Sequence, residues 1–107
     1  MNRALNTLGL CKCAGKISYG ETLLKEIKNK KVYLVVVASD ASDNSKKKII
    51  DKCNYYKCNY LVCLDKNSIT KAIGRDALVS SVGIKDYNLV KKFRENIERD
   101  GDQNEEK

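Results

Sequence analysis

The sequence predicts an α/β protein, a three-layer α/β/α sandwich around a small mixed sheet of about four strands. The chain has 107 residues, which is the length of one domain and is enough to bury a core without disulfides or a structural metal. Residues 32–37 form a short, continuous, β-branched run that is typical of a strand buried on both faces. Helical and strand-like segments alternate along the chain, which favours helices on both faces of one sheet.

The first half of the chain contains three helical patterns around the apolar run. Residues 2–12 place apolar side chains at helical spacing, and Gly15 just beyond them is a natural stop. Residues 21–29 predict a second helix with one aliphatic face and one lysine-rich face. A polar loop follows the buried strand, and residues 45–56 predict a third helix.

The second half repeats the alternation in shorter pieces. Residues 59–64 and 78–84 predict the second and third strands, with a short helix at 68–74 between them. Asp86 is expected to cap a last helix that packs inward through its aliphatic residues as far as Ile97. We therefore predict one folded domain over residues 1–97 and a flexible acidic tail over residues 98–107.

The charge is unevenly distributed between the domain and the tail. The whole chain has a formal net charge of +7, but residues 98–107 contain five acids and two bases, a net of −3. The remaining 97 residues carry 19 bases and 9 acids, a net of +10. A bias of this size favours a polyanionic partner, and nucleic acid is the first candidate.

Several sequence features that enzymes depend on are missing. The chain has no histidine, which excludes histidine-dependent nucleophile pairs and acid–base catalysis. Asp40, after the buried strand, has no partner that would make it a catalytic group, and the chain lacks the glycine-rich loops that hold nucleotide phosphates. We predict that the protein is not an enzyme.

The five cysteines indicate reduced core residues rather than a metal site. Cys11 and Cys13 are one residue apart, and Cys53, Cys58 and Cys63 recur every five residues, so neither set has zinc-ligand spacing. We expect no metal and no cofactor. The chain shows no signal peptide and no long apolar stretch, which predicts a cytoplasmic protein without a membrane partner.

Two surface features could contact nucleic acid. The run of Lys46, Lys47 and Lys48 falls in the predicted first turn of the third helix, where the helix dipole disfavours cations, so a phosphate there would relieve the repulsion. The alternative is a solvated run that serves solubility. The six tyrosines could stack on bases, but core packing is the expected role of Tyr33, Tyr56 and Tyr60.

Seven segments, in order and spacing, resemble one family from about Leu8 to Phe93. They are Leu8-Gly9-Leu10, Ala14-Gly15-Lys16, Gly20-Glu21, Ala38-x-Asp40-Ala41-Ser42-x-Asn44-Ser45-Lys46-Lys47, Asp51-Lys52-Cys53-x-Tyr55-Tyr56, Ala72-Ile73-Gly74 and Val82-Gly83-Ile84-x-Asp86. Together these segments are similar to the bacterial YlxQ-like branch of the ribosomal protein L-seven-Ae family.

The resemblance implies an α/β/α sandwich that binds kink-turn RNA, a helix–internal loop–helix bent by tandem sheared G·A pairs. Family members present a Gly–x–Asn–Glu–x–x–Lys pattern at the start of the second helix. The polar side chains of this pattern contact the exposed guanine edges, and its lysine contacts a phosphate. Shape and exposed bases are what a protein can recognise in RNA. In this chain Glu21 and Thr22 take the Asn and Glu places, and Lys25 takes the lysine place.

The resemblance also implies further contact residues. Ser42 takes an RNA-contacting position, and Arg75, Asp76 and Ala77 take the loop that packs on an extruded base. The predicted RNA-binding residues are Lys16, Gly20, Glu21, Thr22, Lys25, Lys28, Ser42, Lys46, Lys47, Arg75, Asp76 and Ala77.

The sequence thus predicts a monomeric, non-enzymatic protein that binds bent or bulged structured RNA in a ribosomal or other ribonucleoprotein context. Ribosomal or ribonucleoprotein proteins are further expected partners. The alternative is a protein–protein adaptor of the same fold in a ribosome- or transcription-associated complex, with weak or no kink-turn binding because Glu21 and Thr22 depart from the family pattern.

Overall fold

The computed structural model describes residues 3–98 with their side chains and the backbone of residues 99, 100, 105 and 106. Five helices and five strands are present in this part of the chain. The helices are α1 (Arg3–Cys13), α2 (Gly20–Lys28), α3 (Asp43–Tyr55), α4 (Lys66–Ala72) and α5 (Tyr87–Asp100). The strands are β1 (Ile17–Tyr19), β2 (Leu34–Val37), β3 (Tyr60–Val62), β4 (Ser81–Ile84) and β5 (Glu105–Glu106).

The strands form one mixed sheet in the order β1-β4-β2-β3-β5. The central strand β2 pairs in parallel with β3 and antiparallel with β4, and Val36 lies opposite both Leu61 and Val82. The outer pairs β1–β4 and β3–β5 are antiparallel. Four strands of three or four residues and the two-residue β5 thus make the small mixed sheet that the sequence predicts.

The helices cover both faces of this sheet, which confirms the predicted three-layer sandwich. On one face, α1, α4 and α5 pack through residues such as Leu8, Ile69 and Phe93. On the other face, α2 and α3 pack through residues such as Leu23 and Ile49. All four residues of β2 are buried, as the continuous apolar run predicts for a strand with a helix layer on each side.

The predicted starts of α3 and α4 are each wrong by about two residues. Helix α3 begins at Asp43 rather than at residue 45, because the Ser42 side chain accepts a hydrogen bond from the Ser45 amide at 3.2 Å and caps the helix. Helix α4 begins at Lys66 rather than at residue 68, because Asp65 caps it in the same way through the Ser68 amide at 3.0 Å. Hydrogen bonds from the hydroxyl and the amide of Ser68 lower the pKa of Asp65.

Strand β1 is absent from the sequence prediction. Its three residues, Ile17 to Tyr19, are too few to show the two-residue periodicity that identifies a strand. The strand exists because β4 supplies a partner, with Ile17 opposite Ile84 and Tyr19 opposite Val82. The predicted strands are also longer than the observed ones, and β4 starts at Ser81 rather than at residue 78.

The last helix begins as predicted and ends later. The Asp86 carboxylate accepts a hydrogen bond from the Leu89 amide at 3.1 Å, which confirms it as the cap. Helix α5 continues to Asp100 instead of ending near Ile97, and the backbone of Glu105 and Glu106 pairs with β3. Residues 101–104 and 107 lie outside the described part, so the flexible acidic tail stays a prediction.

Four helices end in the same hydrogen-bonded turn, with one residue in the left-handed region. At the end of α4, the Gly74 amide donates to the Lys71 carbonyl and the Arg75 amide to the Thr70 carbonyl, both at 3.1 Å. Gly15 holds the equivalent place after α1, with φ +69° against +70° for Gly74. Lysines hold it after α2 and α3, where Lys30 and Lys57 have φ +59° and +57°.

The predicted core roles of the cysteines and tyrosines are mostly confirmed. All five cysteines are free thiols, and Cys11, Cys53 and Cys63 are buried. Tyr60 is buried and Tyr56 packs beside the α2–α3 core. Cys13 and Tyr33 are exceptions: Cys13 is exposed, and Tyr33 lies just before β2 with its side chain 52% exposed.

The described residues contain neither a membrane-spanning helix nor a cluster of metal ligands. Over this part of the chain, no helix combines the length and the apolarity needed to cross a membrane. Over the same residues, no three histidine, cysteine or carboxylate side chains come together as metal ligands.

Candidate nucleic-acid interface

A groove of about 610 Å³ runs along one end of the sheet. It lies between the start of α2, the first two turns of α3 and the segment that connects α4 to β4. Its walls are Tyr19, Gly20, Glu21, Thr22 and Leu24 on the α2 side, Ser45, Lys48 and Ile49 on α3, and Arg75, Ala77, Leu78, Val79, Ser80 and Ser81 from the connecting segment. Segments more than 50 positions apart in sequence therefore form one surface.

Gly20 sets the direction in which α2 leaves β1. Its φ of +64° is in the left-handed region, which glycine occupies without the strain that a β-carbon causes. Tyr19 is the N-cap residue of α2, and its side chain makes no capping hydrogen bond. The exposed side chains of Glu21 and Thr22 follow at once, so the helix start presents backbone donors next to polar side chains.

Arg75 is held at the opposite wall of the groove. The turn after α4 places its backbone, and its guanidinium carbon lies 4.8 Å from the centre of the Tyr19 ring. This cation–π contact joins the connecting segment to the end of β1. The Val79 amide donates to the Thr70 hydroxyl at 2.9 Å, which fixes the other end of the same segment on α4. A charged side chain is thus oriented on a restrained loop.

The α3 wall differs from the sequence expectation. Because α3 begins at Asp43, only Lys46 falls in its first turn, and an acidic residue occupies the position that the helix dipole favours. The expected repulsion of three first-turn lysines is therefore wrong. Lys48 lines the groove beside Ser45, whereas Lys46 and Lys47 do not.

The structure brings together five of the twelve sequence-predicted residues. Gly20, Glu21, Thr22, Arg75 and Ala77 line the groove. The other seven lie outside its lining: Lys16, Lys25, Lys28, Ser42, Lys46, Lys47 and Asp76. Ser42 contributes indirectly, since its side chain caps the helix that carries Lys48. Contact of any of the twelve with RNA stays a prediction.

Sequence reasoning missed several lining residues for identifiable reasons. Tyr19 belongs to β1, a strand that the sequence does not predict. Leu78 lies in the connecting segment, 61% exposed, rather than in the predicted strand over residues 78–84. An exposed leucine between Ala77 and Val79 carries no pattern that separates it from a strand residue. Lys48 is part of the lysine run, and nothing in the sequence distinguishes it from Lys46 and Lys47.

Asp40 has a structural position outside this groove. Its carboxylate accepts a hydrogen bond from the Lys66 amide at 2.9 Å, which ties the loop after β2 to the start of α4. This contact gives the side chain a role that requires no catalysis.

Comparison with known proteins places this fold in a family. A family model described as "Ribosomal protein L7Ae/L30e/S12e/Gadd45 family" matches residues 3–94. The chain belongs to this family.

Two curated relatives within this family are each named RNA-binding protein YlxQ. The one from Enterococcus faecium is 41% identical over 97 residues, which cover 90% of this chain and 92% of the relative. The one from Bacillus subtilis (strain 168) is 41% identical over 87 residues, covering 80% and 86%. These matches confirm the resemblance to the YlxQ-like branch.

Solved structures of the same architecture agree with the family assignment. A protein with unknown function from Bacillus halodurans C superposes with a TM-score of 0.83 at 31% identity, covering 92% of this chain and 99% of that one. The Giardia lamblia 15.5kD RNA binding protein superposes with a TM-score of 0.70, covering 89% and 82%. At 22% identity, the second comparison supports the shared fold alone.

Proposed function

We propose that this protein binds structured RNA that contains a sharp bend, of the kink-turn type, through the groove between α2, α3 and the 75–81 segment. The observation that carries the proposal is the convergence of Glu21 and Thr22 with Arg75 and Ala77 in one groove. These residues come from the two regions that the family resemblance marks for base edges and for an extruded base. The printed names of the curated relatives support RNA as the ligand class.

The groove has suitable chemistry for a bent RNA. Backbone donors at the start of α2 and the cations of Lys48 and Arg75 suit phosphate oxygens. The Glu21 carboxylate can accept hydrogen bonds from the N1 and N2 donors of an exposed guanine. Leu78, which is 61% exposed, offers an apolar surface to an unstacked base.

The same proposal includes the wider biological setting. We place the protein among non-enzymatic, cytoplasmic components of a ribosomal or other ribonucleoprotein assembly, acting as a monomer without a cofactor. The unequal charge supports this setting, since residues 1–97 carry a net of +10 and would be drawn to RNA at long range.

Binding to three RNAs of equal length tests the proposal: a kink-turn, a kink-turn whose G·A pairs are replaced by Watson–Crick pairs, and a plain duplex. We expect the intact kink-turn to bind most tightly by fluorescence anisotropy. Glu21→Ala should cost about 1–3 kcal/mol on the kink-turn and less on the duplex, because it removes a base contact. Lys48→Gln should weaken all three RNAs and lower the salt slope by about one unit per lost phosphate contact.

Lys92→Gln is the matched control for Lys48→Gln. Lys92 is an exposed lysine on α5, in the helix layer on the opposite face of the sheet. Its substitution changes the net charge equally and should leave the salt slope almost unchanged. Equal affinity of the wild-type protein for all three RNAs, or equal effects of the two lysine substitutions, would contradict binding through this groove.

A further inference from the structure

Two exposed tyrosines lie together on a surface that the groove does not include. Tyr33 is 52% exposed and Tyr87 is 61% exposed. Their ring centres are 6.1 Å apart, with the planes inclined at 68°. The ammonium of Lys91, one helical turn after Tyr87, lies 6.0 Å from the Tyr87 ring centre. We refer to Tyr33, Tyr87 and Lys91 as the tyrosine patch.

The fold fixes the tyrosine patch at a junction of three elements. Tyr33 precedes β2, and its amide donates to the carbonyl of Ile84 at the end of β4 at 2.9 Å. Tyr87 and Lys91 stand on the first turns of α5, whose start is capped by Asp86. The rings are therefore carried by hydrogen-bonded backbone rather than by a free loop, which lowers the entropy lost when they bind a ligand.

The tyrosine patch and the groove lie at opposite ends of β4. Ser81, the first residue of this strand, lines the groove, whereas Ile84, the last, holds Tyr33. At about 3.4 Å per residue, the two ends of the strand are roughly 10 Å apart. Because β4 is largely buried between the helix layers, this length is the shortest possible separation, and the tyrosine patch is a second surface on the same molecule.

The chemistry of the tyrosine patch suits an unpaired nucleotide. An aromatic face stacks on any base, and a neighbouring ammonium can contact the phosphate that follows. Because the rings are inclined at 68°, a base stacked on one ring has the other ring at its side. Lys31, which is exposed two positions before Tyr33, adds positive charge along the approach.

We propose that the tyrosine patch is a binding site for single-stranded RNA, with a base stacked on Tyr33 or Tyr87 and its phosphate on Lys91. The site would hold the strand that flanks a folded RNA bound in the groove. It does not depend on kink-turn recognition, since an isolated single strand carries both the base and the phosphate that it needs.

Tyrosine fluorescence with a short oligouridine tests the site directly. The chain contains no tryptophan and six tyrosines, so its emission comes from tyrosine alone. We expect oligouridine to quench this emission to saturation at low salt. Tyr33→Leu and Tyr87→Leu, which keep an apolar side chain, should weaken binding about fivefold or more where the ring stacks on a base. Tyr55→Leu is the control, because Tyr55 is 78% exposed on α3 and lies outside the tyrosine patch.

A lysine pair tests the site without altering either ring. Lys91→Glu should weaken oligouridine binding, and Lys92→Glu, at the next position of the same helix, should weaken it much less. Unequal effects in this order support the site. Equal effects, equal loss in Tyr55→Leu, or no binding by the wild-type protein would overturn it. A dimer of the wild-type protein that Tyr87→Leu dissociates in sedimentation would also overturn it, because the tyrosine patch would then be a protein interface.

The kink-turn itself separates this site from the groove. Tyr87→Leu should leave the affinity for a kink-turn without single-stranded ends unchanged and should remove the gain from a single-stranded extension. Glu21→Ala should show the reverse pattern. If the wild-type protein binds oligouridine but not the kink-turn, the result would contradict the proposed function of the groove and support the tyrosine patch.

Discussion

Cys11 shows how burial controls the chemistry of a single residue. Its side chain is fully buried in the core formed by α1, α4, α5 and the sheet. Burial, together with the nearby charge of Asp86, raises the pKa of this thiol to about 11 from an ordinary value of 9.0. The thiol therefore stays protonated in the folded protein under conditions that ionise it in the unfolded chain.

This difference predicts a loss of stability in alkaline solution. Above pH 9 the unfolded state releases the proton first, so the contribution of Cys11 to stability is complete below pH 9 and declines until about pH 11. The slope is about 1.4 kcal/mol per pH unit within that window. Cys11→Ala should be less stable than the wild type at neutral pH because of its cavity, and the gap should narrow above pH 9. Urea unfolding across this pH range measures the gap, and a constant gap would contradict the assignment.

Cys53 and Cys58 show the opposite effects within one pair of thiols. Interaction between the two thiols raises the pKa of Cys53 and lowers the pKa of Cys58. Burial adds to the increase at Cys53. The Cys58 sulfur is half-buried and also lies 3.6 Å from the Val32 carbonyl. The thiol with the lowered pKa is thus the one more exposed to solvent.

The ends of the helices determine several features of the surface. Two helices end on Gly15 and Gly74, which adopt the left-handed conformation without a steric penalty. Helices α2 and α3 end on Lys30 and Lys57 in the same conformation, where a β-carbon costs about 1–2 kcal/mol. These lysines are exposed, and their side chains therefore provide no packing that offsets the penalty.

Lys30→Gly and Lys57→Gly should each stabilise the protein. Relief of the left-handed strain exceeds the added flexibility of glycine in the unfolded chain, so we expect the free energy of unfolding to rise by roughly 0.5–1 kcal/mol. Gly74→Ala is the matched control, because a β-carbon at Gly74 meets no atom within 4 Å and the substitution tests conformation alone. It should destabilise by a similar amount. Chemical denaturation measures all three, and destabilisation by both lysine substitutions would contradict the explanation.

Elements were predictable from the sequence where a pattern was long enough to be periodic. The run that became β2 and the helical stripes of α1, α3 and α5 are visible because each repeats over several residues. Strand β1 was invisible because its stability comes from pairing with β4, which follows more than 60 residues later. The predicted starts of α3 and α4 lie about two residues too late, because the sequence does not show where the backbone turns and so does not identify Ser42 and Asp65 as caps.

One close contact between elements is not among the features predicted from the sequence. Gly83, in the middle of β4, faces α2, and a β-carbon there would collide with Leu23, besides lying 2.9 Å from the Val32 side chain. The absence of a side chain therefore lets α2 approach the sheet. The neighbouring hydroxyl of Ser18 is buried and has no hydrogen-bond partner among the described residues. The position of α2, and with it one wall of the groove, depends on this contact.

At the scale of the whole molecule, the candidate site was predictable only in part. Local motifs marked both Gly20–Thr22 and Arg75–Ala77 through resemblance, but their convergence in one groove is a property of the folded chain. The predicted lysines lie outside the groove lining, because sequence position does not show which side of the folded chain a side chain occupies. Tyr33 was predicted to pack in the core because it precedes a buried strand, but its side chain is exposed on the surface.

The acidic end of the chain should reduce RNA affinity through its charge. Replacement of Asp102, Glu105 and Glu106 by the corresponding amides raises the net charge from +7 to +10. We expect tighter binding of kink-turn RNA at low salt, and little gain near 0.15 M salt, where screening acts within about 8 Å. The control exchanges the same three residues as Asp102→Glu, Glu105→Asp and Glu106→Asp, which preserves charge. A gain that is independent of salt, or that the control shares, would mean that the substitutions act through the pairing of β5 with β3 rather than through charge.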